Sequence, residues 1–194
     1  MLLAHTYGRS LTYALGMDHD ENVIAAAALT VADRIRSAVE AAAGRGGGGA
    51  AVLTTLHAWA DGQPIEQLAG ALGLSHSRAV RVIDGLVEDG LVRRGRDPAD
   101  ARRALIKLTA AGRRTCAAML SAREAALGDA IAGLDGAQRD ALVAVSEVLV
   151  ADATTSRREA RRICRFCDTR ACGHEDGRCP STRRADELEA QQAT

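Results

Sequence analysis

The sequence predicts a mainly α protein: a winged helix-turn-helix with long flanking helices and a small β-hairpin wing. Three observations lead there. First, apolar residues make up 47% of the 194, but aromatic residues only 2%. A core of Ala, Leu and Val favours helices, because Ala and Leu lose least on entering one; sheet-rich folds want more β-branched and aromatic side chains. Second, apolar residues recur at steps of three and four along most of the chain. Third, residues 91–108 break that period with two short runs around the turn Asp97-Pro98-Ala99-Asp100, the pattern of a hairpin.

Residues 1–19 lack pattern and are expected to form an unstructured extension, with Met17 a candidate start. Residues 21–43 read as a helix with Ile24, Ala28, Val31, Ile35 and Val39 on one stripe. The glycines from Gly44 to Gly49 end it and predict a flexible joint, closing a first unit of 20–49. Residues 50–59 form a short helix, residues 61–64 a turn, and residues 65–72 a helix that stops at Gly73. Ser75 caps the next helix, which runs to about Glu88 before Gly90. The strands 91–96 and 104–108 then complete a winged unit of 50–108. Thr109 caps a long helix with Leu120, Ala126, Leu127 and Ile131 on its apolar side. After Asp135-Gly136, the helical period resumes over 137–163 with Leu142, Val145, Val148 and Leu149, so that residues 109–163 form a helical unit. A cysteine-rich segment, 164–180, and a polar tail, 181–194, which reads as disordered, end the chain.

Within residues 68–92, Ala69 and Gly73 lie four apart and Leu74-Ser75 follow, the spacing of a helix-turn-helix. Ala79, Val82, Ile83 and Leu86 make one buried face of the second helix. The opposite face carries Ser77, Val80, Arg81 and Asp84, flanked by His76 and Arg78. Such an N-terminal end meets base edges in a major groove. Arg81 can bridge guanine O6 and N7, and Val80 can touch a thymine methyl. Ser75 and the first-turn N–H groups can hold a phosphate. Arg94, Arg96, Arg102 and Arg103 belong to the wing, where arginines grip the minor groove or its phosphates. From His76 to Arg114 there are ten Arg/Lys against five Asp/Glu, a basic stripe on a chain of zero net charge. A solvated surface would explain the charge alone; the hairpin that follows tips the reading to DNA.

At these residues the chain resembles the MarR family, the multiple-antibiotic-resistance type of transcription regulator. The matching stretch is "PIEQLAGALGLSHSRAVRVIDGLVEDGLVRRGRDPADARRALIKLTAAGRR" from Pro64 to Arg114. It includes an acidic turn with arginine at 97–102 and an "LTxxG" element at 108–112. Many members carry a second arginine where this chain has Ala101, so Arg103 shares the wing's work here. The resemblance implies a two-fold homodimer held by the first helix and the last two, two readers on a pseudo-palindromic double-stranded DNA site, repression, and a small-molecule effector. His57 and Trp59 lie near the family's usual crevice between units and are read as core packing.

Four cysteines fall within sixteen positions: Cys164, Cys167, Cys172 and Cys179. A Cys-x-x-Cys pair chelates one ion and two more thiolates complete a tetrahedron, so a structural zinc site is the favoured reading. An iron–sulfur cluster is the second, and metal-free thiols forming a switchable disulfide the third. Metal- or redox-dependent regulation through this segment follows from its position after the dimerisation helix. His174 is a spare ligand, and Cys116, set apart, a small buried hydrophobe. The apolar run 23–32 is too short and alanine-rich to span a bilayer, and residues 1–17 lack the basic start of an export signal; a cytoplasmic location is expected, where clustered cysteines bind metal or sense redox state. Enzyme classes find no support: there is no βαβ frame for a thiol oxidoreductase, no nucleophile–base pair, and the glycines at 46–49 lack a P-loop's lysine. The alternative function is a metal-binding or thiol-redox protein with a degenerate DNA-binding domain.

Overall fold

A computed structural model of the chain describes residues 18–46, 48–97, 100 and 103–193. The expectations for residues 1–17, including Met17, and for Arg102 lie outside them. Helix α1 (His19–Ala43) starts where the Asp18 carboxylate accepts the Glu21 N–H at 2.9 Å and stops at Gly44, whose φ of 63° is left-handed. Its predicted stripe is buried only toward the C-terminal end, at Val39, with Ile35 half-buried and Ile24 exposed.

The glycine joint is shorter and firmer than expected. Helix α2 (Gly48–Thr55) already begins within the glycine run, and its side chains are buried. Arg45, between α1 and α2, bonds the Gly85 carbonyl at 2.9 Å and pairs with Asp89. A side chain anchored at both ends holds the link that composition alone reads as loose. Helix α2 passes into a π turn, Leu56–Ala60, a local widening of the helix that often marks functional sites.

The winged unit follows. Strand β1 (Gln63–Pro64) leads into helix α3 (Ile65–Leu72), then helix α4 (His76–Glu88), strand β2 (Val92–Arg96) and strand β3 (Ala104–Leu108). Residues 61–64 are thus more than a turn: β1 adds a third strand, giving the antiparallel order β1-β3-β2 with Gln63 opposite Ile106 and Val92 opposite Leu108. Pro64 fits only because β1 is an edge strand. The core joins Val52, Leu53 and Leu56 to Leu68, Ile83, Leu86 and Ile106, and is sealed by Val39, Cys116 and Met119.

Helix α5 (Ala110–Ala130) packs along α1. Its buried positions are Gly112, Cys116 and Met119, while Leu120, Ala126, Leu127 and Ile131 are half-buried. Residues 137–163 are not one helix. Helix α6 (Gly136–Asp152) opens with a capping box of Asp135 and Gln138. Helix α7 (Arg157–Ile163) is a separate element, capped by Ser156 accepting from the Glu159 N–H at 3.1 Å. The Thr154-Thr155-Ser156 run between them offers hydroxyls that compete with helical bonding; Thr154 bonds back to the Val150 carbonyl at 2.8 Å. A 3-10 turn, Cys164–Phe166, continues from α7. The tail that reads as disordered folds as helix α8 (Pro180–Gln192), with Pro180 in its first turn and Ser181 and Ala185 buried.

Candidate functional site

Local chemistry builds the reading head. Gly73, φ 64°, ends α3 with its N–H on the Ala69 and Gly70 carbonyls, and Leu74 bonds the Ala69 carbonyl at 2.9 Å. Only a residue at ease in the left-handed region turns the chain this sharply. Ser75 then caps α4, its hydroxyl accepting from the Arg78 N–H at 3.3 Å. Ala79, Ile83 and Leu86 face the core with Val82 half-buried beside them, the face the period predicts.

The outward side presents Ser75, His76, Ser77, Arg78 and Arg81, all exposed. Neither Arg78 nor Arg81 is in an ion pair among the described residues, so both guanidiniums face solvent. Val80 is half-buried and packs against the core, turned further from this face than its companions. Arg94 pairs with Asp84 of α4: it fastens the wing strand to the helix, and its charge is partly satisfied there. Arg96, at the end of β2, is exposed; so is Arg103, at the foot of the wing. Arg103 shares a shallow depression with His76, Glu66 and Ile65, so the wing's base and the start of α4 lie on one side of the molecule. The Asp97 N–H bonds the Arg103 carbonyl at 3.2 Å, closing the hairpin.

Behind the wing, Thr109 ties three segments. Its N–H bonds the Leu91 carbonyl at 3.0 Å, its hydroxyl donates to the Gly90 carbonyl at 2.7 Å, and the same oxygen accepts from the Gly112 N–H at 3.0 Å. This is the "LTxxG" element: the threonine caps α5 and locks it to the end of α4.

A second site forms around the cysteines. Cys164, Cys167, Cys172 and Cys179 line one cavity of about 390 Å³, together with Trp59, Arg157, Arg161 and His174. The chain doubles back there through Gly173 and Gly177, both at φ 67°. The Cys167 N–H bonds the Cys164 carbonyl at 2.9 Å, a tight turn that sets the first two thiols side by side. The Cys167 thiol is held below its ordinary range by the hydrogen bond it takes from Cys164, against its own burial and with help from the Arg123 and Arg165 charges; the Cys164 thiol is pushed up in return. Cys172 is raised by burial and by neighbouring Cys179. The thiols stand as neighbouring pairs. Among the described residues, no three His, Cys, Asp or Glu groups are already gathered around one ion position. His174 Nδ1 is engaged with the Thr182 hydroxyl at 2.8 Å. Cys116 is as expected: fully buried, its thiol on the Leu53 carbonyl at 3.3 Å, and pushed up by burial to about 11.

Sequence reasoning missed what the cysteine segment leans on. Trp59 is not core: it is 39% exposed, with the Arg161 guanidinium 4.6 Å over its ring. His57 is exposed too. Thr54 of α2 donates to the Arg165 carbonyl, and Phe166 packs against the core of the winged unit. These pairs are over a hundred positions apart, so no local pattern could show them; a lone Trp and a lone Phe in so aromatic-poor a chain were the one available signal.

These elements define a winged-helix protein. Residues 50–104 match the MarR family, and the chain carries a MarR-family domain with the fold of that family's transcriptional regulators. CouR from Rhodococcus jostii RHA1, solved bound to p-coumaroyl-CoA, is 26% identical; the match covers 68% of this chain and 92% of that one, with a TM-score of 0.51. A MarR-family transcriptional regulator from Rhodococcus sp. RHA1 is 24% identical over 69% and 95%, TM-score 0.53. Wild-type apo MarR from E. coli shares the fold at 18% identity, over 69% and 98%, TM-score 0.56. No curated protein matches the chain in sequence. No helix among the described residues is long and apolar enough to cross a membrane.

Proposed function

We propose that the protein is a sequence-specific, double-stranded-DNA-binding transcription regulator that acts in the cytoplasm as a homodimeric repressor on a pseudo-palindromic operator. The carrying observation is the exposed start of α4, with Arg78 and Arg81 toward solvent, beside the wing's Arg96 and Arg103. A basic helix end next to a basic hairpin fits a major groove and the backbone beside it. Ser75, His76 and Ser77 would position α4; Arg81 would read a base; Arg96, Arg103 and Arg102 would grip phosphates. Arg94 acts first through Asp84, and Val80 by packing.

The dimer reading draws on apolar surface. Helix α6 buries no residue, and Val145 and Leu149 are 57% and 61% exposed. An effector-responsive reading draws on CouR, a similar protein solved with a small organic ligand. Modulation through the cysteine segment is taken up below.

The test is a selection of duplexes from a random pool followed by fluorescence anisotropy. Arg81→Ala should lower affinity for the selected site by ~10-fold or more and relax preference at one base pair, as expected when a bidentate contact worth about 1–3 kcal/mol is lost. Arg96→Ala should weaken selected and random duplexes alike and reduce the salt slope by about 1. If no selected duplex outcompetes random DNA for the wild-type protein, the proposal fails.

A further inference from the structure

We propose that Cys164, Cys167, Cys172 and Cys179 bind one zinc ion per protomer, and that the ion closes a clasp between the DNA-reading unit and helix α6. The second half of this rests on the DNA-binding reading above; the first does not.

The thiols converge on one cavity from two sides. Cys164 opens the 3-10 turn after α7, Cys167 ends it as its C-cap, and Cys179 caps α8. A tetrathiolate zinc site with Zn–S near 2.3 Å needs sulfurs ~3.8 Å apart, so the four thiols that line the cavity draw together onto the ion as it binds. An iron–sulfur cluster gives each iron its own thiolate and spreads the sulfurs wider. On binding, each thiol still protonated gives its proton to solvent and no electrons move. The resulting double negative charge meets Arg161 in the cavity wall and Arg123 and Arg165 beside Cys167.

The two sides are anchored to different parts of the molecule. The first leans on the winged unit: α7 packs on α3, the 3-10 turn on α2, Thr54 holds the Arg165 carbonyl, and Arg161 covers Trp59. The second leans on the long helix: α8 packs on α6, with the Ser181 and Thr154 hydroxyls 2.9 Å apart and buried. One ion joining Cys164 and Cys167 to Cys179 therefore adds to the packing of α7 on α8 and the Arg157 ion pairs in holding the reading head on α6. The cysteine segment thus touches the DNA-reading unit directly, as well as following the long helices in sequence.

Trp59 is the chain's only tryptophan and lines the cavity, so its fluorescence reports on the site. Full-length protein purified anaerobically under reduction should hold one zinc per protomer by elemental analysis. A chelator should release that zinc, shift the Trp59 emission, and weaken binding to the selected duplex by at least ~10-fold; added zinc should restore both. Cys172→Ser/Cys179→Ser should lose zinc and bind the duplex as the chelated wild type does. Because the chelator arm uses the wild type, misfolding of the variant leaves the test intact. Iron with labile sulfide, or four free thiols with no metal after exposure to zinc, overturns the site. Stoichiometric zinc whose removal leaves duplex affinity unchanged overturns the clasp. A wild type that holds zinc yet selects no duplex overturns the DNA reading and leaves the site standing.

Discussion

Gly112 shows how one residue can decide the join between the wing and the helices behind it. A Cβ there would lie 2.0 Å from the Leu91 carbonyl oxygen, and backbone cannot step aside as a side chain can. That carbonyl already accepts the Thr109 N–H, so displacing it also loosens the residue that caps α5. Gly112→Ala should therefore cost at least ~2 kcal/mol and lower the melting temperature by roughly 5 °C, read by calorimetry. Gly128, with open space around its Cα, is the control: Gly128→Ala should leave stability unchanged or raise it slightly. The resemblance located this glycine, but the reason for it is visible only once Leu91 lies above it. Arg94 carries the same lesson with the opposite outcome. By sequence it is one wing arginine among four; in the fold its pairing with Asp84 makes it a brace between strand and helix.

The elements legible in the sequence were those whose signals are local. The turn at Gly73, the cap at Ser75, the buried face of α4 and the hairpin 92–108 each follow from a few adjacent residues. The elements missed are held by distant partners. Helix α8 has a mostly polar sequence and reads as disordered, yet Arg157 binds both carboxylate oxygens of Glu189, at 3.1 and 2.7 Å, and also pairs with Asp186. Those carboxylates hold the Arg157 guanidinium well above its ordinary range and keep it charged at any working pH. Strand β1 is two residues long and forms only because β3 offers an edge, and the break before α7 hides in a run of hydroxyl residues. If Arg157 fastens α8, Arg157→Ala should speed amide hydrogen exchange across residues 183–192 by ~5–10-fold. A forked pair with partly exposed partners is worth only about 1 kcal/mol, so exchange in α2 to α5 should not change. Equal acceleration throughout the chain would show that Arg157 supports the whole fold and not this helix.

At the scale of the whole molecule, the described residues leave an apolar surface open to solvent. Along α6, Leu142, Val145, Val148 and Leu149 are all more than 40% exposed, and at the far end of α1 so are Val23, Ile24 and Leu29. Tertiary packing of an apolar face supplies most of a helix's stability in a protein; α6 gains little from its own chain beyond α8 on one flank. A second copy related by a two-fold axis would present the same stripes in return, and would hold two reading heads at a fixed separation. A charge on that stripe would have to be buried or the pair parted. Val145→Glu with Leu149→Glu should therefore raise the dimer dissociation constant at least ~100-fold, about 2.7 kcal/mol, seen as monomer by sedimentation at micromolar protein. The same variant should still contact a half-site through the exposed α4 and the wing, but lose the gain from binding two half-sites at once. A variant that remains dimeric would put the subunit contact elsewhere and leave α6 for another partner.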